Sequence, residues 1–238
     1  MRRNAVFFLL LLPLAACSVQ QQPARTLEMV LPGSGVSGLA LAANVGAVTI
    51  APSRDARVHV SVALRPSKSF LGIISFGGQD AIRAAAIRHA VSDGVLKLAM
   101  QYPRNTHAGD VEEHWTLAIP PSLHVNSHIN VGKLQVSGIA GGVEASLNVG
   151  KVVLDLPGGA MKVSANVGKI EAQAHTLNYG DVTLNADVGD AQLKVNGVPA
   201  GDLEKAGAGS QVSYRGHGHD TISLVVNTGK VSLALGGH

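Results

Sequence analysis

Along most of this chain apolar residues alternate with polar ones at a period of two, the mark of strands that bury one face. Around Gly150, Val143, Ala145, Leu147 and Val149 precede the glycine, and Val152, Leu154 and Leu156 follow it. The inward set therefore changes parity at the glycine, as at a corner or bulge that other residues would find strained. Met161, Val163, Ala165 and Val167, then Ile170 and Ala172, repeat the scheme. Val182, Leu184, Ala186 and Val188, then Ala191, Leu193 and Val195, repeat it again.

A repeat underlies the pattern. Asn130-Val131-Gly132-Lys133, Asn148-Val149-Gly150-Lys151 and Asn166-Val167-Gly168-Lys169 recur at intervals of 18 residues. Weaker copies are Asn44-Val45-Gly46-Ala47, Asp187-Val188-Gly189-Asp190 and Asn227-Thr228-Gly229-Lys230. So short a unit has no room for a helix and fits one coil of a β-solenoid, each rung about 4.8 Å from the next and equivalent residues stacked. The expected fold is all-β: a single-stranded β-solenoid (β-helix) of about 18–21-residue rungs with glycine-punctuated corners, preceded by a hairpin-containing β region. Asn44, Asn130, Asn148, Asn166, Asp187 and Asn227 would form a hydrogen-bonded corner ladder. The inserts from Ala174 to Tyr179 and from Val198 to Asp220 are expected to bulge out as loops.

Upstream, Arg57 to Leu64 reads as a strand, and Ile87 to Val91 pairs with Val95 to Met100 through a Ser92-Asp93-Gly94 turn. Trp115 to Ile119, closed by Pro120-Pro121, is another strand. Gln79 to Ala86 is the one short helix expected, on its alanine content and an initial Asp.

The N-terminus carries an address. Arg2 and Arg3 precede an apolar run from Ala5 to Leu12 that is too short to span a bilayer comfortably, and Leu14-Ala15-Ala16-Cys17 follows. This segment resembles a bacterial lipoprotein signal ending in a lipobox. The resemblance implies cleavage after residue 16, diacylglycerol on Cys17, and sorting to the outer membrane, since Ser18 rather than Asp follows the cysteine. The division is then 1–16 signal peptide, 17–26 lipidated tether and 27–238 domain. Export removes two arginines, so the net charge of +3 drops to about +1 and a nucleic-acid partner is not expected. Cys17 is the sole cysteine, which rules out an intrachain disulfide or a cysteine metal cluster.

Asn44-Val45-Gly46, the Ser92-Asp93-Gly94 hairpin, Trp115 through Pro120 and the Asn-Val-Gly-Lys series together resemble the putative-adhesin family of bacterial envelope proteins, over residues 35 to 235. The resemblance implies a β-solenoid and no agreed catalytic residues. The functional expectation is a non-enzymatic envelope lipoprotein, a binding or structural module of adhesin-like type without a cofactor; the alternative is a polysaccharide-active β-helix enzyme or glycan-processing protein.

Stacking would bring Lys133, Lys151 and Lys169 about 5 Å apart at about 0.8 kcal/mol per exposed pair, reading either as a solvated face that keeps rungs from aggregating or as a stripe for an acidic envelope polymer or an envelope protein. Other polar groups suggest weaker chemistry. His217 and His219, with Asp202 or His238, offer too few ligands for an expected metal site. Asp181, Asp187 and Asp190 read as turn chemistry, and Glu112, Glu113 and His114 as an edge strand with alternating charges. Gly33-Ser34-Gly35-Val36-Ser37-Gly38 matches a dinucleotide pattern but leads into alternating Leu39, Leu41 and Ala43, so into a strand.

Overall fold

The computed structural model describes residues 24–67, 76–104, 106 and 109–236. Cys17, most of the tether and His238 lie outside them. In chain order the elements are β1 (Arg25–Pro32), β2 (Gly38–Pro52), β3 (Arg57–Pro66), α1 (Phe76–Ala84), β4 (Ala86–Ser92), β5 (Val95–Gln101), β6 (Val111–Ile119) and β7 (His124–Ser137). They continue as β8 (Val143–Leu156), β9 (Met161–Ala174), β10 (Tyr179–Val195), β11 (Val198–Pro199), β12 (Asp202–Ala206), β13 (Gly209–Arg215) and β14 (Asp220–Leu235).

The fold is all-β, and its strands join one mixed sheet in the order β1-β3-β6-β2-β7-β8-β9-β14-β10-β13-β12. The centre, from β2 through β10, is parallel. The flanks β1-β3-β6 and β10-β13-β12 are antiparallel. This corrects the single-stranded solenoid expected above. A second correction concerns order: β9 pairs with β14, not with β10, so the last repeat is inserted between the fourth and fifth. The segment from Val198 to Asp220 is also no plain loop, because β12 and β13 extend the sheet.

Each central strand bends at its repeat glycine, and the two arms bury opposite parities. In β8, Val143, Ala145 and Leu147 are buried before the bend and Val152, Leu154 and Leu156 after it. Both sets belong to one core that continues through Leu39, Val125, Val163, Leu184 and Leu224. The expected parity was right up to the bend, but Val149 is 46% exposed and Val167 and Val188 are exposed with it.

The glycines are required by proximity. Gly150 has φ +143°, and a Cβ there would lie 1.8 Å from the carbonyl oxygen of Gly132. Gly46, Gly132, Gly168, Gly189 and Gly229 share this conformation and this approach to a neighbouring backbone.

The upstream region matches its sequence signals more simply. β4 and β5 form the expected hairpin, with positive φ at both Asp93 and Gly94, the pair of values a type I′ turn needs. α1 begins earlier than the alanine pattern suggested. β1 was not anticipated and takes Arg25 and Thr26 from the supposed tether.

Gly150→Ala should cost more than about 3 kcal/mol, because it combines a backbone clash with a disfavoured φ. Gly109→Ala, exposed and with open space around its Cβ position, should stay within about 0.5 kcal/mol of wild type. Denaturant unfolding of both variants checks this, and equal stability would refute the role given to the bends.

Candidate binding groove

Past the bend, the second arms of five parallel strands turn their alternate side chains outward. Register places Gln135, Val153, Glu171, Ser232 and Gln192 in one row across β7, β8, β9, β14 and β10. The next row out is Ser137, Asp155, Gln173, Ala234 and Lys194. Between these rows runs a shallow groove of about 540 Å³. Amides, hydroxyls and carboxylates line it at the strand spacing, so a ligand crossing the strands would meet a hydrogen-bonding group at about every 4.8 Å.

The lysines form the rim. Lys133, Lys151 and Lys169 do stack, and the row continues through Lys230 to end against Asp190 on β10. The stripe is less bare than its sequence suggested. Glu171 takes Lys151 at 2.6 Å and Lys169 at 2.5 Å, and Lys230 meets Asp190 at 3.2 Å. Lys133 donates to Gln135 Oε1 at 3.1 Å. The Lys151 and then the Lys169 ammonium hold the Glu171 carboxyl below its ordinary range. An anionic Glu171 suits ligand contact and charge balance, whereas a glycosidic acid needs its proton held at a raised pKa.

On the other side of the bend the asparagines form the expected ladder, with altered membership. Asn148 Nδ2 donates to Asn130 Oδ1 at 2.7 Å, Asn166 Nδ2 to Asn148 Oδ1 at 3.0 Å, and Asn227 Nδ2 to Asn166 Oδ1 at 3.3 Å. Every amide donates in the same sense. Asp187 stands opposite Asn227 but has no donor to continue the chain, and instead accepts from Asn185 Nδ2 at 2.7 Å. At the other end Asn44 lies beside Asn130, and its backbone N–H goes to the carboxylate of Glu113.

Glu113 is the residue the sequence reading misplaced. β6 is not an edge strand; it lies between β3 and β2, and Glu113 is 2% exposed. Trp115 Nε1 donates to its Oε2 at 2.7 Å and the Tyr102 hydroxyl to its Oε1 at 2.9 Å. Burial raises its pKa against the opposing pull of these bonds. The signal was present, since Val111, Glu113, Trp115, Leu117 and Ile119 share one parity. Glu112 instead points out, 3.0 Å from His114 Nε2.

The remaining candidates are not brought together. Asp181 pairs with Arg215 on the first arm, while Asp190 lies beyond the bend. His217 and His219 sit exposed between β13 and β14, and no group of three or more metal-ligating side chains occurs among the described residues. Gly33–Gly38 leads into β2.

No protein-family model matches the chain, and no curated protein matches it in sequence. Solved structures do match. A putative cell adhesion protein from Clostridium sporogenes superposes with a TM-score of 0.56 at 16% identity, covering 90% of this chain and 100% of that one. The fold is shared. A putative adhesin from Bacteroides fragilis covers 90% of this chain and 99% of its own at 13% identity, with a TM-score of 0.35.

Two outcomes follow from these polar groups. Asp187→Asn should extend the ladder to Asn227 and raise stability by about 0.5–1.5 kcal/mol; an unchanged or lower denaturation midpoint would contradict the termination role. For Glu113, the folded carboxyl binds its proton more tightly than an unfolded one. Its contribution is therefore most favourable when protonated, and stability falls as pH rises from the ordinary value of 4.5 through the raised folded value. Urea titrations across that window should show a flatter pH dependence in Glu113→Gln than in wild type.

Proposed function

We propose that this protein is a non-enzymatic envelope lipoprotein, anchored through Cys17 in the outer membrane, whose groove holds an extended polar polymer. The parallel stack presents amides, hydroxyls and carboxylates at the strand spacing, with at least one polar side chain on every strand of the groove. The observation that carries the reading is the pair of outward rows from Gln135 to Gln192 and from Ser137 to Lys194, crossed by one continuous groove. The rim lysines outnumber Glu171 and Asp190, which favours a polymer bearing acidic groups. The fold held in common with a putative cell adhesion protein from Clostridium sporogenes fits a binding role. Lipid attachment is supported by Leu14-Ala15-Ala16-Cys17 at the end of a short apolar run.

Replacing Lys133, Lys151, Lys169 and Lys230 by Ala should reduce retention on immobilised acidic envelope polysaccharide by roughly tenfold or more and weaken the salt dependence of binding. Wild-type and variant proteins retained alike would remove the acidic-polymer reading. Cys17→Ser should move the protein from the membrane to the soluble fraction, and continued membrane association would contradict the anchor. Protease shaving of intact cells, with a periplasmic protein as leakage control, assigns the face of the outer membrane.

A further inference from the structure

The bends carry a feature that neither the groove nor the core uses. Val131, Val149, Val167 and Val188 are 40%, 46%, 48% and 49% exposed. With Val45 and Thr228 they stand in one register row, in the order Val45, Val131, Val149, Val167, Thr228, Val188. Six strands at about 4.8 Å give a ridge about 24 Å long on the outside of the bend. Single exposed valines are ordinary, but an aligned row of them, broken by Thr228 alone, is an extended apolar surface.

Two further observations place this edge. The first is charge. Immediately past the glycines, among the described residues, Lys151 and Lys169 pair with Glu171 and Lys133 makes no ion pair, while Asp190 sits at the β10 end and pairs with Lys230. The β7–β9 part of the edge therefore keeps an excess of positive charge. The second is where the chain enters. Arg25 faces Leu64, Leu64 faces Glu113, and Glu113 faces Gly46 in the glycine row. The first residue of β1 is thus in line with the bends, about 14 Å from β2 across three strand spacings. From Cys17 to Arg25 is a short covalent path, with a reach of at most about 29 Å.

We infer that this edge is the face on which the domain rests against its own bilayer, with the valine ridge among the headgroups and the β7–β9 lysine row, which also rims the groove, bordering the anionic phosphates. The inference rests on acylation of Cys17. Interfacial binding grows with buried apolar area and with attraction to anionic lipid, and one row of valines with a few partly paired lysines beside it contributes modestly to both. The tether supplies the rest, because it keeps the ridge at high effective concentration near the surface. The groove, on the outer face of the second arms, then opens beside the membrane rather than into it.

The test uses the acylated protein in vesicles of phosphatidylethanolamine and phosphatidylglycerol, carrying an environment-sensitive fluorophore on Val149→Cys or on Lys162→Cys. Lys162 is exposed on the first arm, away from the bend, and the native cysteine is blocked by its lipid. The probe at 149 should shift to the blue on incorporation and lose aqueous-quencher accessibility at least about twofold, while the probe at 162 stays unchanged. Equal, water-like behaviour of both probes overturns the inference. So does a blue shift at 149 that appears without vesicles and grows with protein concentration, which would mean that a second copy covers the ridge. Mass spectrometry of Cys17 in the same samples separates the two readings. An unmodified Cys17 sinks the anchor and this inference together, whereas an acylated protein with an exposed ridge sinks this inference alone.

Discussion

The structure depends on the close approach of backbone at one row of glycines. The carbonyl oxygens of Gly46, Gly132, Gly150, Gly168 and Gly229 each occupy the space where the Cβ of the next bend glycine would be, the last of these neighbours being Gly189. Such contact is tolerated in one register only, so the bend fixes the alignment of the strands on both sides of it. Everything else that stacks follows: asparagines before the bend, valines at it, lysines after it. Core packing alone would pin the register less firmly, because many inward positions carry interchangeable Val, Leu, Ile and Ala.

Stacking identical side chains raises an electrical problem that each row solves differently. The asparagines turn it to advantage, since an amide is both donor and acceptor and can pass hydrogen bonds along the row. The ladder ends at Asp187, which has acceptors only. Lysines have no such reciprocity, and Glu171 is placed on the neighbouring row where its two oxygens reach two of them. Asp190 then takes the lysine position on β10, so the row that begins as like charges ends in an opposite pair.

The repeat, the glycine corners, the asparagine ladder and the Asp93-Gly94 hairpin were all legible in sequence, because each is set by local chemistry recurring at a fixed interval. Strand order was not. β9, β10 and β14 carry equivalent repeats, and nothing in a pattern of equivalents says which two become neighbours. Val149 was misassigned because alternation was extended one step too far, into the bend itself. Glu113 was missed for the opposite reason, as its charge outweighed a parity that correctly placed it inside with Trp115. β1 escaped because it supplies only a half-buried flank, and the rows of the groove emerged only once pairing had aligned Gln135, Glu171 and Gln192.

The place of β14 bears on how the molecule is completed in time. A chain made from its N-terminus delivers β7, β8 and β9 as a growing parallel stack, and later β10 with its antiparallel partners, yet these two pieces share no strand boundary. Their strands are brought into one sheet by the sixteen residues of β14, which pair with β9 on one side and β10 on the other. Until then each piece presents an open parallel edge, the type of surface that recruits other strands. The latest of these strands to appear is therefore the keystone, and a chain truncated before Asp220 would be left as two unfinished sheets.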